Sequence, residues 1–485
     1  MTPPSEEAFR RSTAQGLLWS ALEFALRTGF QFGVTIALAR LLTPEDFGIV
    51  AIVYVFIGLG WTLAEAGFSN ALVQKRDLAE QEISAVFHFQ WALAFVIALC
   101  LGLASSGIAR FYGHAVLEPL IQVMALNLFL QALGVVHQSL LSRELAFRQL
   151  MIAGSLSSVI GGGLAVFLAI QGAGVWALAA QTLLTTLINV AALWLLHPWR
   201  PQLVFRLKLL KDTFGFGRYL LLSGLLEVAY GRLYGLFIGK MYGVADLGQY
   251  TRASSLQGMP STLISGIVGR VAFPAFSAIK DDKPRLIAGL RTAALGVMAV
   301  NIPVMLGLLA VSEPLVLTLF GDVWRPAIPL FRILCLAGLV WPLHAINGNV
   351  LLAMGHSRLF FRIEVFKKAA GVVLFIAAVP FGLDALAWSQ VLYGVGCWAI
   401  HAHYTGRMLG YTALHQIGDC LPWLLAGIVM ACLVWSLHFM VLFSFSALVA
   451  LAAQVLLGAT VYLAFWILWD VSLLRELMRA LLSRP

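Results

Sequence analysis

The chain has 485 residues, of which 60% are hydrophobic, 12% aromatic and only 11% charged, with a formal net charge of +9. Too few polar side chains are present to cover a water-soluble protein of this length, so the composition excludes an ordinary soluble enzyme or binding domain. In so apolar a chain the positive balance records basic loops on one side of a membrane, and no nucleic-acid partner is expected.

Apolar runs of about 18 residues or more, each long enough to cross a hydrocarbon core as a helix, recur along the whole length. A transmembrane strand would alternate apolar and polar positions. Phe95 to Leu103 and Ala447 to Ala453 instead run without a polar side chain. Because lipid leaves no partner for an unpaired backbone group, the expected fold is an all-α polytopic membrane protein.

The amino terminus, MTPPSEEAFRRS, is polar, and the long apolar segment after it carries Glu23 and Arg27 without a small-residue cleavage site, so no cleaved signal peptide is expected. Breaks at Gly, Pro and charge clusters then divide the chain into about fourteen spans. Their limits are near 15–40, 47–70, 83–108, 117–141, 150–171, 174–197, 214–239, 247–275, 287–311, 326–353, 360–381, 384–405, 419–439 and 443–469.

With the amino terminus in the cytoplasm, 23 of the 32 Lys and Arg residues, Lys367 and Lys368 among them, fall on inward segments. Six (Arg40, Arg110, Lys240, Arg252, Arg325, Arg332) fall at outward ends and three (Arg27, Arg232, Arg270) lie deeper within spans. That bias predicts that both termini are cytoplasmic. The basic connection from His197 to Phe214 reads as an interfacial linker between two halves. Five scattered cysteines form no CxxC pair and no cluster with His at ligand spacing, so they are expected to be buried small hydrophobes, with no metal site.

The halves repeat. LARLLTPEDFGIV (Leu38 to Val50) matches IGKMYGVADLGQY (Ile238 to Tyr250): at an offset of 200, Arg40 falls on Lys240, Asp46 on Asp246 and Gly48 on Gly248. At an offset of 210, Pro119-Leu120 falls on Pro329-Leu330 and Arg148 on Arg358. QGAGVWALAAQ (Gln171 to Gln181) resembles FGLDALAWSQ (Phe381 to Gln390) with one gap. Six spans separate the copies, so both enter the membrane from the same side, a parallel repeat suited to alternating access. The expected organisation is a six-helix lobe over 1–197, a basic linker over 198–213, a second six-helix lobe over 214–405, and two further helices with a tail over 406–485.

Charge inside a bilayer is costly, about 2.5 to 3.5 kcal/mol at a helix centre on insertion scales, so buried charges should line a wet cavity or pair. Here they gather on the first two helices of each half: Glu23 and Arg27, Glu65, Glu227 and Arg232, and Arg270 with Arg252 near the outer end. At about 1.5 Å per residue Arg27 lies about 18 Å above the inward end of its helix, near the midplane. Arginine stays ionised and presents a fork matched to phosphate oxygens, so these positions form a candidate ladder for an anionic head group. A second reading stays open, in which Glu23 and Arg27, at i and i+4, neutralise each other, as Glu227 and Arg232 do more loosely. Glu65 is either a coupling group for a proton or cation or the partner of Arg27 or Arg270. Asp46 and Asp246 are expected to cap the helices that follow them, and Arg40 and Lys240 to face each other as a basic gate at the outward mouth. Gly161-Gly162-Gly163 is expected to allow close helix contact. No nucleophile elbow, Walker loop, HExxH or carboxylate pair on a long outer loop is present, so no enzyme activity and no cofactor are expected.

From Leu38 to Leu78, LARLLTPEDFGIVAIVYVFIGLGWTLAEAGFSNALVQKRDL, the chain resembles the polysaccharide transporter family, the Wzx-type flippases of the MOP exporter superfamily, and within it the colanic acid and exopolysaccharide branch. The resemblance extends over essentially the whole chain by layout. It implies a V-shaped pair of six-helix lobes around a cationic cavity. It also implies a flippase moving undecaprenyl-pyrophosphate-linked oligosaccharides across the bacterial inner membrane, acting as a monomer alongside a polysaccharide polymerase and glycosyltransferases. By analogy Arg27, Arg232, Arg252 and Arg270 would meet the pyrophosphate and acidic sugars, and the carboxyl-terminal helix pair would hold the polyprenyl tail. Two alternatives remain: a multidrug exporter of the same superfamily, which would want acidic and aromatic cavity residues, and a membrane polymerase or ligase, which would want a large outer loop.

Overall fold

The structure, a computed structural model, describes residues 28–65, 69, 72, 79–202, 210–441 and 447–469, with the side chains at 210–224, 265–271, 438–441 and 469 outside that description. The expected substrate residues Glu23 and Arg27, and the side chain of Arg270, lie outside the described residues.

Every regular element among the described residues is a helix. They follow one another as α1 (28–41), α2 (Pro44–Glu65), α3 (Glu80–Tyr112), α4 (Leu117–Arg143), α5 (Phe147–Ile170), α6 (Val175–Leu196), α7 (Leu210–Met241) and α8 (Val244–Ala278). After these come α9 (Lys283–Ala310), a short helix Ser312–Phe320, α10 (Ala327–Ala353), α11 (Ser357–Ala378), α12 (Leu383–Leu409), α13 (Ala413–Val441) and α14 (Ala447–Trp469). Nine of the described helices are long and apolar enough to cross a membrane. The expected all-α polytopic fold is thus the observed one.

By compactness the chain divides into two units, 1–248 and 249–485. In the first, α2 is the central element, packed against α3, α4, α6 and α7. Its buried face carries Ile49, Ile52, Val53, Val55 and Ile57. Close approach elsewhere depends on the glycine run of α5: a Cβ at Gly161 would stand 2.2 Å from Oγ1 of Thr185 on α6, and one at Gly162 would stand 2.7 Å from Val34 of α1. Gly161 and Gly162 do serve close helix contact, as expected from the sequence, whereas Gly163 faces open space.

In the second unit α10 packs against α9 and α12, while α13 packs on α9 and α14. A cluster of Met298, Ile302, Leu306, Trp423, Met430 and Tyr462 joins α9, α13 and α14. Beside it α9, α13 and α14 line an open apolar groove of about 470 Å³, with Pro303, Gly307, Met430, Gly458, Tyr462 and Trp466 on its walls.

Two expectations change in detail. Helix α2 is capped by Thr43 rather than by Asp46. The Asp46 carboxylate accepts from the Thr43 backbone N–H (3.0 Å) and hydroxyl (2.8 Å), while the Asp46 N–H donates to Thr43 Oγ1 (3.3 Å). This is a reciprocal capping box with Pro44 at the first helical position, where its missing N–H costs nothing. Lys367 and Lys368, assigned to an inward segment, instead lie inside α11 and are buried, at 1% and 8% exposure.

Candidate functional site

The seam between α2 and α7, both in the first unit, carries Arg232, one of the charges that the sequence singled out. Arg232 on α7 is exposed. Its guanidinium lies over Gly58 of α2, where a Cβ would stand 3.5 Å from Nε and 3.6 Å from Nη2. The same group acts electrostatically on Tyr54 of α2, whose hydroxyl is 2.6 Å from that of Thr182 on α6. Glu227, five residues before Arg232, is also exposed, and Glu65 is half-buried at the end of α2. Arg232 lies nine residues before the end of α7, or roughly 14 Å along the axis, well inside the helix. An exposed guanidinium at that depth is tolerable where water or an anion reaches it.

Near the α1–α2 and α7–α8 turns the helix starts cross in a reciprocal contact. A Cβ on Gly48 would fall 1.7 Å from the carbonyl oxygen of Val244, and one on Gly248 would fall 1.8 Å from that of Pro44. The repeat-related residues thus exchange places across a local two-fold axis, residue i of one turn meeting residue j of the other and the reverse, as in an isologous interface. Any side chain larger than hydrogen at either glycine would push the two backbones apart.

Two of the other expected residues, Lys240 and Arg252, make packing contacts. Lys240 donates to the carbonyl of Phe111, and its ammonium sits 4.5 Å from the Phe111 ring centroid. It neutralises the carboxyl-terminal end of α3, whose Tyr112 hydroxyl donates to Leu236 of α7 at 3.1 Å. Arg40 is exposed near the end of α1. In the second unit Arg252 is 7% exposed, with its guanidinium carbon 5.1 Å from the ring centroids of both Phe320 and Trp324. That placement is a cation–π contact with the last residue of the short helix and with Trp324 in the turn after it, and not an open binding surface.

One cluster escaped the reading of the sequence. On α10, α11 and α12, His344, Glu364, Lys367 and His401 come together within the second unit. Glu364 and Lys367, at i and i+3, are the signal that points to it, but only once the helix is known to start at Ser357.

Fold and composition together define an all-helical, multi-pass membrane protein. A family profile described as "Polysaccharide biosynthesis protein" matches residues 37–329, and the chain belongs to that family. It is 28% identical over 381 residues to the lipopolysaccharide biosynthesis protein WzxC of Escherichia coli (strain K12), covering 77% of this chain and 76% of that protein. It is 27% identical over 485 residues to the succinoglycan biosynthesis transport protein ExoT of Rhizobium meliloti (strain 1021), covering 96% and 95%. Among solved structures, the lipid II flippase MurJ in an inward closed conformation superimposes with a TM-score of 0.72 at 16% identity, covering 96% of this chain and all of that one. The likeness to MurJ is one of fold.

Proposed function

We propose that the protein flips polyprenyl-pyrophosphate-linked oligosaccharides from the cytoplasmic to the outer leaflet of the bacterial inner membrane, by alternating access, with both termini in the cytoplasm. The observation that carries the reading is Arg232, an exposed residue well inside α7 with its guanidinium held over Gly58 of α2. A permanent, forked cation in that setting suits phosphate oxygens and opposes a cationic drug, which disfavours the multidrug-exporter alternative. Membership of a polysaccharide biosynthesis family, and relatives named for lipopolysaccharide synthesis and succinoglycan transport, point to a sugar polymer precursor as the cargo.

Arg27 and Arg270 complete the ladder for the head group, with Glu23, Glu65 and Glu227 balancing it. The apolar groove between α9, α13 and α14 has a lining suited to hold part of a polyprenyl tail. The crossing at Gly48 and Gly248 forms the outer gate, with Arg40 and Lys240 beside it. The chain works as a monomer, supplied by glycosyltransferases and drained by a polymerase.

The test is a deletion strain. Loss of surface polysaccharide with accumulation of polyprenyl-linked oligosaccharide on the inner leaflet is the expected result; absence of that accumulation rules the reading out.

A further inference from the structure

Lys367 stands eleven residues into α11, roughly 15 Å from its start, so the structure places a basic group at the middle of a helix. Its side chain is 1% exposed. The ammonium donates to the Glu364 carboxylate one turn earlier and, at 3.0 Å, to Nε2 of His344 on α10. His401 on α12, fully buried, has its Nε2 3.8 Å from the same carboxylate oxygen and its ring centroid 4.7 Å from that of His344. Nδ1 of His344 and both ring nitrogens of His401 have no hydrogen-bond partner. The other titratable groups around the cluster are Cys397 and Tyr393 on α12 and Lys368 on α11, which has partners of its own.

We propose that His344, Glu364, Lys367 and His401 form a proton-binding site that couples transport to a proton gradient, and that the site takes no metal cation. The proposal rests on the transport reading for its cargo but not for its chemistry.

Charge balance carries the argument. The ammonium of Lys367 and the carboxylate of Glu364 form a neutral pair, the arrangement a low-dielectric interior tolerates. Oε1 of the carboxylate is thereby occupied by the protein's own cation, and a sodium ion at the same carboxylate would have to stand against a like charge at close range. A proton needs no seat. It arrives as hydronium at Glu364, which at 23% side-chain exposure is the cluster's opening; the carboxylic O–H bond forms as the hydronium bond breaks, leaving water. Loss of the carboxylate charge frees the ammonium to pass its own proton to Nε2 of His344, whose Nδ1 already carries the ring proton, and the one bare ring nitrogen of neutral His401 is the other acceptor within the cluster. Either transfer leaves a net positive charge in a dry site. That state is disfavoured unless α10, α11 and α12 shift to admit water, so proton uptake and helix movement are linked.

The test uses the full chain in phosphatidylethanolamine–phosphatidylglycerol nanodiscs, with infrared difference spectra between acid and alkaline buffer and no sugar substrate. The expected wild-type spectrum shows protonated-carboxyl and imidazolium bands. Glu364→Gln loses the former, His344→Gln and His401→Gln each diminish the latter, and exchanging sodium for choline changes nothing. Identical spectra in wild type and all three variants, or a band that follows sodium, overturn the proposal. Lys367→Met, if it does not fold, is replaced by Lys367→Arg, in which the expected imidazolium signal shifts. In cells, Glu364→Gln is expected to lower surface polymer at least ten-fold at unchanged protein level; normal export by that variant overturns the coupling role. Because the spectra need no cargo, a deletion strain without accumulated lipid-linked sugar removes the transport reading and leaves the proton site to be judged by its own bands.

Discussion

Gly48 lies so close to the carbonyl of Val244 that even a methyl group in its place would stand 1.7 Å from that oxygen, and Gly248 stands in the same relation to Pro44. Two helix starts that are copies of each other therefore touch through backbone alone. Contacts of this kind gain from close packing and from weak Cα–H donors to carbonyls, and they can be made and broken without rearranging side chains. Such a crossing suits a gate that must open once per transport cycle.

Gly48→Ala and Gly248→Ala are accordingly expected to weaken this crossing. Overpacking of a tight contact costs about 1–3 kcal/mol, which lowers the closed population by about 5- to 150-fold. The check is reaction of a membrane-impermeant maleimide with Thr43→Cys in a cysteine-free background. Labelling should rise in either glycine variant while protein level holds, and unchanged labelling would remove the gate.

Arg232 makes a second prediction. Arg232→Ala is expected to lower surface polysaccharide at least ten-fold, and Arg232→Lys to restore part of it, since an ammonium keeps the charge but loses the forked donor geometry. Equal export by wild type and the alanine variant would remove Arg232 from the site. Gly58→Leu offers a check from the opposite helix. Its side chain would occupy the space over which the guanidinium lies, so export should fall although the charge is intact.

How much of this was legible beforehand follows from which physical signal each feature leaves in a sequence. The helices were legible, because a run of apolar residues long enough to span lipid has few other readings. So was the paired turn, because Asp46 and Gly48 recur as Asp246 and Gly248. The identity of the cap was not: Thr43 and Asp46 share one hydrogen-bonded box, and only coordinates show which residue precedes the helix. Nor was the reciprocal contact of the two glycines, since a sequence repeat says that two turns are alike and not that they meet. Lys367 was misplaced because topology rules count basic residues near span ends, and a lysine paired inside a helix scores the same as one in a loop. Lys240 and Arg252 were singled out as a gate and a substrate residue, but their aromatic partners, Phe111 and the pair Phe320 and Trp324, are far enough away in sequence to leave no trace.

The clamp on Arg252 is expected to matter for stability more than its charge does. Trp324 is fully buried, so Trp324→Ala should cost about 3–5 kcal/mol. Arg252→Met keeps most of the stem packing. It loses a desolvated cation–π contact of about 2 kcal/mol, but it also removes the need to bury a guanidinium, so its net cost should be small. Thermal unfolding of the purified variants in detergent tests the ordering. A larger loss for Arg252→Met than for Trp324→Ala would show that the cation, and not the aromatic packing, holds this end of the second unit.

Lys240 separates a packing role from a gating one. Its ammonium closes the end of α3 through the Phe111 carbonyl and ring. A cation at a helix carboxyl terminus contributes about 0.3–1 kcal/mol, and an exposed cation–π contact about 0.5–1 kcal/mol. Lys240→Met should therefore lower unfolding stability by about 1–2 kcal/mol, with export falling no further than the protein level does. If the residue also receives an anionic cargo beside Arg40, export per molecule should fall by ten-fold or more, and Lys240→Arg should recover it. Surface polymer normalised to membrane protein in the two variants decides between the roles: a loss in Lys240→Met at full protein level, rescued by arginine, assigns the gate, whereas parallel losses assign only the helix end.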